Sequence, residues 1–289
     1  MADAARTLTL SDADIVHHVR GPLPPPDGEP VLLMIGQPMT SEGFDALAAQ
    51  MPERTVVTYD PRGLGESTRR DGSTRNDPSV QAADLHALIA ELGGPVELFA
   101  SSGGAVAALA LVAAHPEDVL TLVAHEPPLL RQLPDAETAL RLTAAVTEVY
   151  HARGWGAGMA AFIVLSSHQG ELPADLDEHF PPPAAFGLPE QDDGSREDPL
   201  LSGTSAPVTD FDPDLAALRA ASTRIVLAVG EETGLALTAR ATRALAGRLG
   251  LEAVPFPGDH GGFHPGDPSH PGDPAGFADR LREVLAAAR

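Results

Sequence analysis

Short apolar runs alternate along the chain with longer segments in which apolar residues recur every three to four positions. The apolar runs have the length and composition of strands buried on both faces, and they span residues 30–36, 55–63, 96–101, 119–125, 224–230 and 252–258. The segments with helical spacing span residues 41–52, 78–92, 103–115, 236–249 and 274–288. Residues 7–10 and 15–21 indicate an additional hairpin at the sheet edge. The pattern predicts an α/β fold with a mostly parallel twisted sheet that carries helices on both faces.

The alternation is interrupted between residues 128 and 208. This segment begins with two helical patterns, 135–152 and 156–167, and continues as an acidic stretch rich in proline. It leaves the carboxyl end of a predicted strand, the edge at which open α/β sheets hold their sites. We therefore expect a mainly helical and irregular lid, with a flexible surface insertion as the alternative. The predicted organisation is a core of residues 1–127 and 209–289 with a lid of residues 128–208.

Charge and composition exclude several classes of function. The formal net charge of −22 over 289 residues disfavours binding to nucleic acids or anionic membranes. The absence of cysteine excludes thiol nucleophiles and disulfides. The beginning of the chain has no signal-peptide pattern, and the longest uncharged apolar run, 105–114, is too short to cross a bilayer. We expect a cytoplasmic protein whose partner is a small molecule; the sequence leaves its oligomeric state open.

Two adjacent serines, Ser101 and Ser102, stand where a predicted strand becomes a helix. Such a sharp turn strains its central residue and crowds the positions two before and two after it, so both must be small. With Ser101 in the centre, one of these positions is Phe99; with Ser102 in the centre, they are Ala100 and Gly104. Ser102 therefore meets the steric requirement for an exposed nucleophile. A serine that only caps the helix is the alternative.

Three segments, in the expected order, resemble the α/β-hydrolase fold superfamily. Residues 100–104 match its small-x-nucleophile-x-small elbow, with Ala100 where glycine is usual. The segment YDPRGLGEST (59–68) is similar to the superfamily's Asp-x-Arg-Gly-x-Gly-x-Ser segment. Residues 31–41 lie where its His-Gly-x-Pro segment belongs, with Ile35 in place of the histidine. The resemblance covers nearly all of the chain except the insertion and implies a serine-nucleophile member, esterase-like or perhydrolase-like.

An oxyanion hole needs two backbone N–H donors beside the nucleophile. The N–H of Gly103 follows Ser102 at a helix N-terminus, where the helix dipole favours negative charge. The second donor must come from the loop after the strand 30–36, and Pro38 has no N–H. The superfamily pattern implies Gln37 for this role.

A general base is expected near the end of the chain, after the acid. His260 follows the last predicted strand in the glycine-rich segment FPGDHGGF, and the resemblance implies that it is the base. Four earlier histidines are interpreted as polar surface residues: His17, His18, His86 and His115. A metal site through His260, His264 and His270 is the disfavoured alternative, because glycines and prolines interrupt every interval. No metal and no cofactor is predicted.

The acid departs from the common pattern of the superfamily. The usual position, three residues after the glycine of IVLAVG, holds Thr233, so Glu232 is one candidate. Haloalkane dehalogenases and some relatives instead place the acid at the end of the strand after the elbow helix, where this chain has Glu126. The resemblance thus implies Glu126, with Glu232 as the alternative; the absence of any acid stays open.

A serine nucleophile suits attack on a carbonyl, whereas alkyl carbons are attacked by a carboxylate in the related dehalogenases and epoxide hydrolases. The sequence therefore predicts cleavage of a carboxylic ester, lactone or thioester through an acyl-enzyme on Ser102. Apolar side chains of the lid, Phe162 and Met159 among them, are candidates for substrate contact. The alternatives are a cofactor-free perhydrolase of the haloperoxidase type and a non-catalytic ligand-binding or scaffold protein.

Overall fold

The computed structural model describes residues 4–266 and 272–287. Within these ranges the strands are β1 Ala4–Thr9, β2 Ala13–Arg20, β3 Leu32–Gln37, β4 Val56–Tyr59, β5 Thr68–Arg69, β6 Val96–Ser102, β7 Val119–His125, β8 Arg224–Gly230 and β9 Val254–Phe256. The α-helices are α1 Asp45–Ala49, α2 Pro78–Leu92, α3 Gly103–Ala114, α4 Ala136–Arg153, α5 Trp155–Ser167, α6 Ala206–Thr209, α7 Leu215–Ala220, α8 Leu237–Leu249 and α9 Pro274–Ala286. Helix and strand alternate as the apolar pattern predicts.

The strands form one sheet in the order β1-β2-β4-β3-β6-β7-β8-β9, and β5 pairs with β2. Along this order, the neighbouring pairs β4–β3, β3–β6, β6–β7, β7–β8 and β8–β9 are parallel. Strands β1 and β2 form an antiparallel hairpin at one edge, and β2 is also antiparallel to β4. From β3 the chain first adds β4 on one side and later β6 on the other. The carboxyl ends of β3 and β6 therefore flank the point at which the strand order reverses, where such sheets bind ligands.

Successive residues of the central strands point to opposite faces of the sheet, and each face has its own core. Leu33 and Ile35 of β3 pack with the side of the sheet that α2, α3 and α8 cover. Leu32 and Met34 pack with the opposite side, together with residues of α1 and α9 such as Leu47 and Phe277. The predicted α/β class with helices on both faces is thus confirmed.

The insertion between β7 and β8 has a hydrophobic cluster of its own, built on α4 and α5. Leu237 and Ala241 of α8 belong to the same cluster and connect it to the sheet layer. Asn76 joins the core to the end of the insertion, since its N–H donates to the Thr204 carbonyl at 2.8 Å and its Nδ2 to Ser205 Oγ at 3.0 Å. None of the helices that the structure describes is long and apolar enough to cross a membrane.

His17 differs from its prediction as a surface residue. It is 1% exposed, because the alternating face of β2 that carries Ile15 and Val19 also carries His17 and turns inward. The predicted helix over 41–52 is shorter than its pattern: residues 41–44 form a 3₁₀ turn, and α1 follows.

Candidate active site

Ser102 lies at the junction of β6 and α3 in a strained backbone conformation. Its φ is 56°, a left-handed value that non-glycine residues rarely adopt. Ser101, one residue earlier, is still part of the strand and is 2% exposed, with its Oγ 3.5 Å from Nδ1 of His125. Of the two serines, only Ser102 has its side chain at the carboxyl edge of the sheet, next to the N-terminus of α3.

Small residues around Ser102 are required by backbone approaches. A Cβ on Gly104 would lie 2.8 Å from the Cα of Gly36 and 2.9 Å from the Ile35 carbonyl oxygen. These atoms belong to the backbone of β3 and have no rotamer with which to move away. The close contact of α3 with β3 therefore depends on glycine at position 104, as the steric pattern of an elbow requires.

Glu126 and His260 form a hydrogen-bonded pair. Nδ1 of His260 lies 2.7 Å from Oε2 of Glu126, and Glu126 itself is fully buried at the end of β7. The Gly230 N–H donates to Oε1 at 2.9 Å, and the Thr238 hydroxyl donates to Oε2 at 2.7 Å. Thr238 belongs to the first turn of α8, whose dipole also favours a negative charge there. Three donors thus fix the orientation of this carboxylate.

The environment of Glu126 keeps its carboxyl group ionised. Burial acts to raise the pKa, but the hydrogen bond from His260 and the charges of His260 and His125 outweigh it and hold the pKa at about 2. An ionised carboxylate only accepts hydrogen bonds, so Nδ1 of His260 carries the proton in this contact. In the neutral form of the ring, this tautomer leaves the lone pair of Nε2 free to accept a proton.

Ser102 and Glu126, the candidate nucleophile and the candidate acid, both have positive φ values. Among the described residues, positive φ at non-glycine positions occurs at Ser102 and at Glu126, which has a φ of 49°. Such strain is found where the surrounding structure holds a functional side chain in place.

The loop after β9 places His260 at the carboxyl edge of the sheet. This loop is tight, because a Cβ on Gly262 would lie 2.3 Å from the Pro257 carbonyl oxygen.

The other candidate acid, Glu232, makes no hydrogen bond or ion pair with His260 in the part of the chain that the structure describes. It is exposed at the cavity that Ser102 and His260 line, and its backbone N–H donates to the Gly258 carbonyl at 3.0 Å. Thr233, at the usual acid position, is 7% exposed. The geometry therefore favours Glu126 over Glu232 as the partner of His260.

Ser102 and His260 line one cavity of about 620 Å³ between the sheet edge and the insertion. Within the described residues no hydrogen bond joins the side chains of Ser102 and His260. Hydrogen bonds between catalytic side chains often reach their full strength only in the complex with substrate. Gln37 and Gly103, the predicted oxyanion donors, line the same cavity. The insertion contributes mainly apolar side chains, among them Leu130, Leu140, Val146, Phe162, Leu165 and Leu200.

The two predicted lid contacts lie in different places. Phe162 lines the cavity. Met159, one turn earlier on α5, is not among the residues that line the cavity; like Phe162, it packs against the hydrophobic cluster of the insertion. Contact of Met159 with a substrate therefore stays a prediction, without the support that the cavity lining gives to Phe162.

Metal binding through His260, His264 and His270 lacks support from the geometry that the structure describes. Nδ1 of His260 is occupied by Glu126, and His270 lies outside the described residues. In the described ranges, potential ligand atoms lie within 4.8 Å of one another in two groups elsewhere: His86, His115 and Asp118; and His18, Asp60 and Glu66. The first group contains a hydrogen-bonded pair, and Asp60 of the second accepts backbone N–H donors from Ser41 and Glu66.

His125 lies beneath the candidate site, and its burial has a consequence for acid stability. Its ring is fully buried among aromatic rings, including Phe99, Phe256 and Phe277. Burial lowers its pKa to about 4 against the opposing charge of Glu126. Between pH 6.5 and pH 4 the unfolded chain thus binds a proton that the folded protein does not, so stability falls as the pH falls through this window.

We expect His125→Leu to weaken this pH dependence. The wild type should lose about 2–3 kcal/mol more free energy of unfolding than the variant between pH 7 and pH 4.5. Urea unfolding of both proteins at the two pH values measures the difference. His179→Leu, which removes an exposed histidine of the insertion, should keep the wild-type dependence. Equal slopes for wild type and His125→Leu would contradict a neutral buried His125.

Comparisons with known proteins agree with this architecture. No family model matches the chain. A candidate epoxide hydrolase from Pseudomonas aeruginosa superposes with a TM-score of 0.65 at 19% identity, covering 99% of this chain and 96% of that one. A thermophilic esterase from Thermogutta terrifontis superposes with a TM-score of 0.64 at 22% identity, covering 100% and 99%. The chain has the α/β-hydrolase fold.

One sequence relative supports the same assignment over part of its length. The uncharacterized hydrolase YraK of Bacillus subtilis (strain 168) is 35% identical over 129 residues, which is 44% of this chain and 46% of that protein. The match thus spans about half of the curated relative. In the α/β-hydrolase fold of this chain, Ser102 lies at the end of β6, Glu126 at the end of β7 and His260 after β9.

Thr238 is the residue of this site that the sequence did not point to. Its hydroxyl holds Glu126, but a threonine in the first turn of a helix is common for reasons of capping alone. The contact depends on how α8 packs beside β7, and no local pattern in the segment GLALTAR encodes that.

Proposed function

We propose that this protein is a serine hydrolase that cleaves a carboxylic ester through an acyl-enzyme on Ser102. The observation that supports the proposal most is the ionised, fully buried Glu126, whose Oε2 lies 2.7 Å from Nδ1 of His260. His260 and Ser102 line the same cavity. A buried carboxylate, an oriented imidazole and a strained serine are the parts that an activated hydroxyl nucleophile needs.

In the proposed mechanism, Nε2 of His260 takes the proton of Ser102 as its Oγ attacks the carbonyl carbon of the substrate. Glu126 orients His260 and stabilises the imidazolium that forms. Backbone N–H groups of Gly103 and Gln37 stabilise the negative charge on the carbonyl oxygen, and the N-terminus of α3 adds its dipole. His260 then returns the proton to the leaving alcohol. Water attacks the acyl-enzyme in the same way and releases the acid.

The cavity supports a small, mainly apolar substrate. Its volume of about 620 Å³ lies in the range of small-molecule sites, and most of the side chains that the insertion places in it are apolar. We assign the insertion, residues 128–208, the role of a lid that sets substrate choice. Lactones and thioesters present the same carbonyl chemistry to Ser102, so the choice among them depends on the shape of this cavity.

Hydrolysis of p-nitrophenyl butyrate, together with labelling by a fluorophosphonate probe, tests the proposal. We expect turnover by the wild type and attachment of one probe molecule to the peptide that contains Ser102, identified by mass spectrometry. Heat-unfolded protein, in which the constellation is lost, is the control and should not be labelled. A folded protein that neither turns over the ester nor reacts with the probe would contradict the function.

A further inference from the structure

Gln37 carries a buried carboxamide with no hydrogen-bond partner. The residue is 2% exposed, and in the described part of the chain neither its Oε1 nor its Nε2 has a partner. A carboxamide offers two donor hydrogens and one acceptor oxygen, and buried groups of this kind are nearly always paired. An unpaired one at a cavity is therefore available to pair with a ligand.

Gln37 is adjacent to the proposed nucleophile. It is the last residue of β3 and the register partner of Ser102 at the end of β6. A Cβ on Gly103 would lie 3.0 Å from Cβ and 3.1 Å from Cγ of Gln37, so this side chain runs alongside the elbow. Gln37 also lines the cavity that Ser102 and His260 line. The side chain of Gln37 thus lies beside the proposed nucleophile at the same cavity.

The strand order assigns Gln37 to the acyl side of the substrate. Strand β6 lies between β3 on one side and β7 on the other. Glu126, at the end of β7, holds His260 on the β7 side. Since His260 must protonate the leaving alcohol, the leaving group lies on that side, and the carbonyl oxygen and the first carbons of the acyl chain lie on the side of β3 and Gln37.

We infer that the carboxamide of Gln37 selects substrates whose acyl chain carries a hydroxyl group on C2 or C3, next to the scissile carbonyl. This inference deepens the proposed function and rests on it. A hydroxyl group donates to Oε1 and accepts from Nε2, and it is small enough for the close packing beside Gly103. A plain alkyl chain leaves both atoms unpaired. A carboxylate pairs only the donor and adds charge beside the developing oxyanion.

The test compares the hydrolysis of three esters, methyl butanoate, methyl 2-hydroxybutanoate and methyl 3-hydroxybutanoate, by the wild type and by Gln37→Met. We expect the wild type to prefer one of the hydroxylated esters by about ten- to a hundred-fold in kcat/KM, because the plain ester leaves the buried carboxamide unpaired. Methionine keeps the length of the side chain without its hydrogen bonds, so the preference should fall to within a few-fold. The ratio of two substrates on one protein cancels any general effect of the substitution on the elbow.

Binding to the unreactive Ser102→Ala protein separates this inference from the proposed function. We expect NMR titration to give a lower Kd for the preferred hydroxylated ester than for methyl butanoate, and the added Gln37→Met substitution to abolish the difference. Wild-type turnover of all three esters at equal rates, or equal Kd values, would overturn the selection of a hydroxyl group and leave ester hydrolysis standing. Selective binding through Gln37 without turnover of any ester would instead support the polar subsite and overturn the function.

Discussion

Replacement of Ser102 by alanine should reduce kcat/KM for p-nitrophenyl butyrate by about 10⁴-fold or more, because it removes the hydroxyl that forms the acyl-enzyme in the proposed mechanism. The residual rate would come from the oxyanion donors and from substrate binding alone. The measurement is initial velocity with wild-type and variant protein prepared side by side. Circular dichroism should show the same fold, because a Cβ without its hydroxyl fits the space that Ser102 occupies.

Ser101 offers a matched control, one residue away on the same strand. Its side chain is buried in β6 beside His125 and does not line the cavity. Ser101→Ala should therefore keep kcat/KM within a few-fold of the wild type. If Ser101→Ala abolished turnover and Ser102→Ala did not, the assignment of the two serines would be reversed, and the steric argument from Gly104 would fail with it.

The sequence predicted the elements that carry the site because their signals are local. The strand 119–125 and the helix 78–92 agree residue for residue with the structure, since an apolar run and an amphipathic segment end at clear polar or glycine boundaries. The serine at the elbow follows from the sizes of its neighbours, which are also local. His17 had a local signal as well: the alternation of buried and half-buried residues in β2 places it inside.

The site's contacts over long sequence distances had no such signal. Glu126 and Glu232 both follow strands that end at the same edge of the sheet, so their spacing did not decide which one meets His260. The structure brings Glu126 to the imidazole because β7 neighbours β6 and the loop after β9 folds back over β8. The unpaired carboxamide of Gln37 is likewise a property of packing and cannot be read from the residues around it.

Glu126→Gln should lower kcat by about 10³- to 10⁴-fold while leaving KM within a few-fold, since Glu126 touches His260 and no part of the substrate. The Gly230 N–H already donates to one oxygen of Glu126, so the amide oxygen of glutamine takes that position and its NH₂ group faces His260. The imidazole then accepts a hydrogen bond at Nδ1 and carries its proton at Nε2. In that tautomer it cannot take the proton of Ser102.

Glu232→Gln is the matched control, because Glu232 lies at the cavity that His260 lines, carries the same carboxylate and makes no hydrogen bond or ion pair with His260 in the described structure. It should keep kcat within a few-fold of the wild type, and loss of activity in Glu232→Gln alone would move the acid to β8.

Acid titration of Glu126→Gln and Glu232→Gln gives a second, independent measurement. Since the pKa of Glu126 is about 2 in the folded protein, below its ordinary value of 4.5, its contribution to stability is complete above pH 4.5 and is lost as the pH falls toward 2. Glu126→Gln should therefore lose less free energy of unfolding over that interval than Glu232→Gln does, by about 3 kcal/mol. The lowered pKa of Glu126 comes from its hydrogen bond with His260 and from the nearby histidine charges, so only the variant of the true partner of His260 should change both the rate and the acid titration.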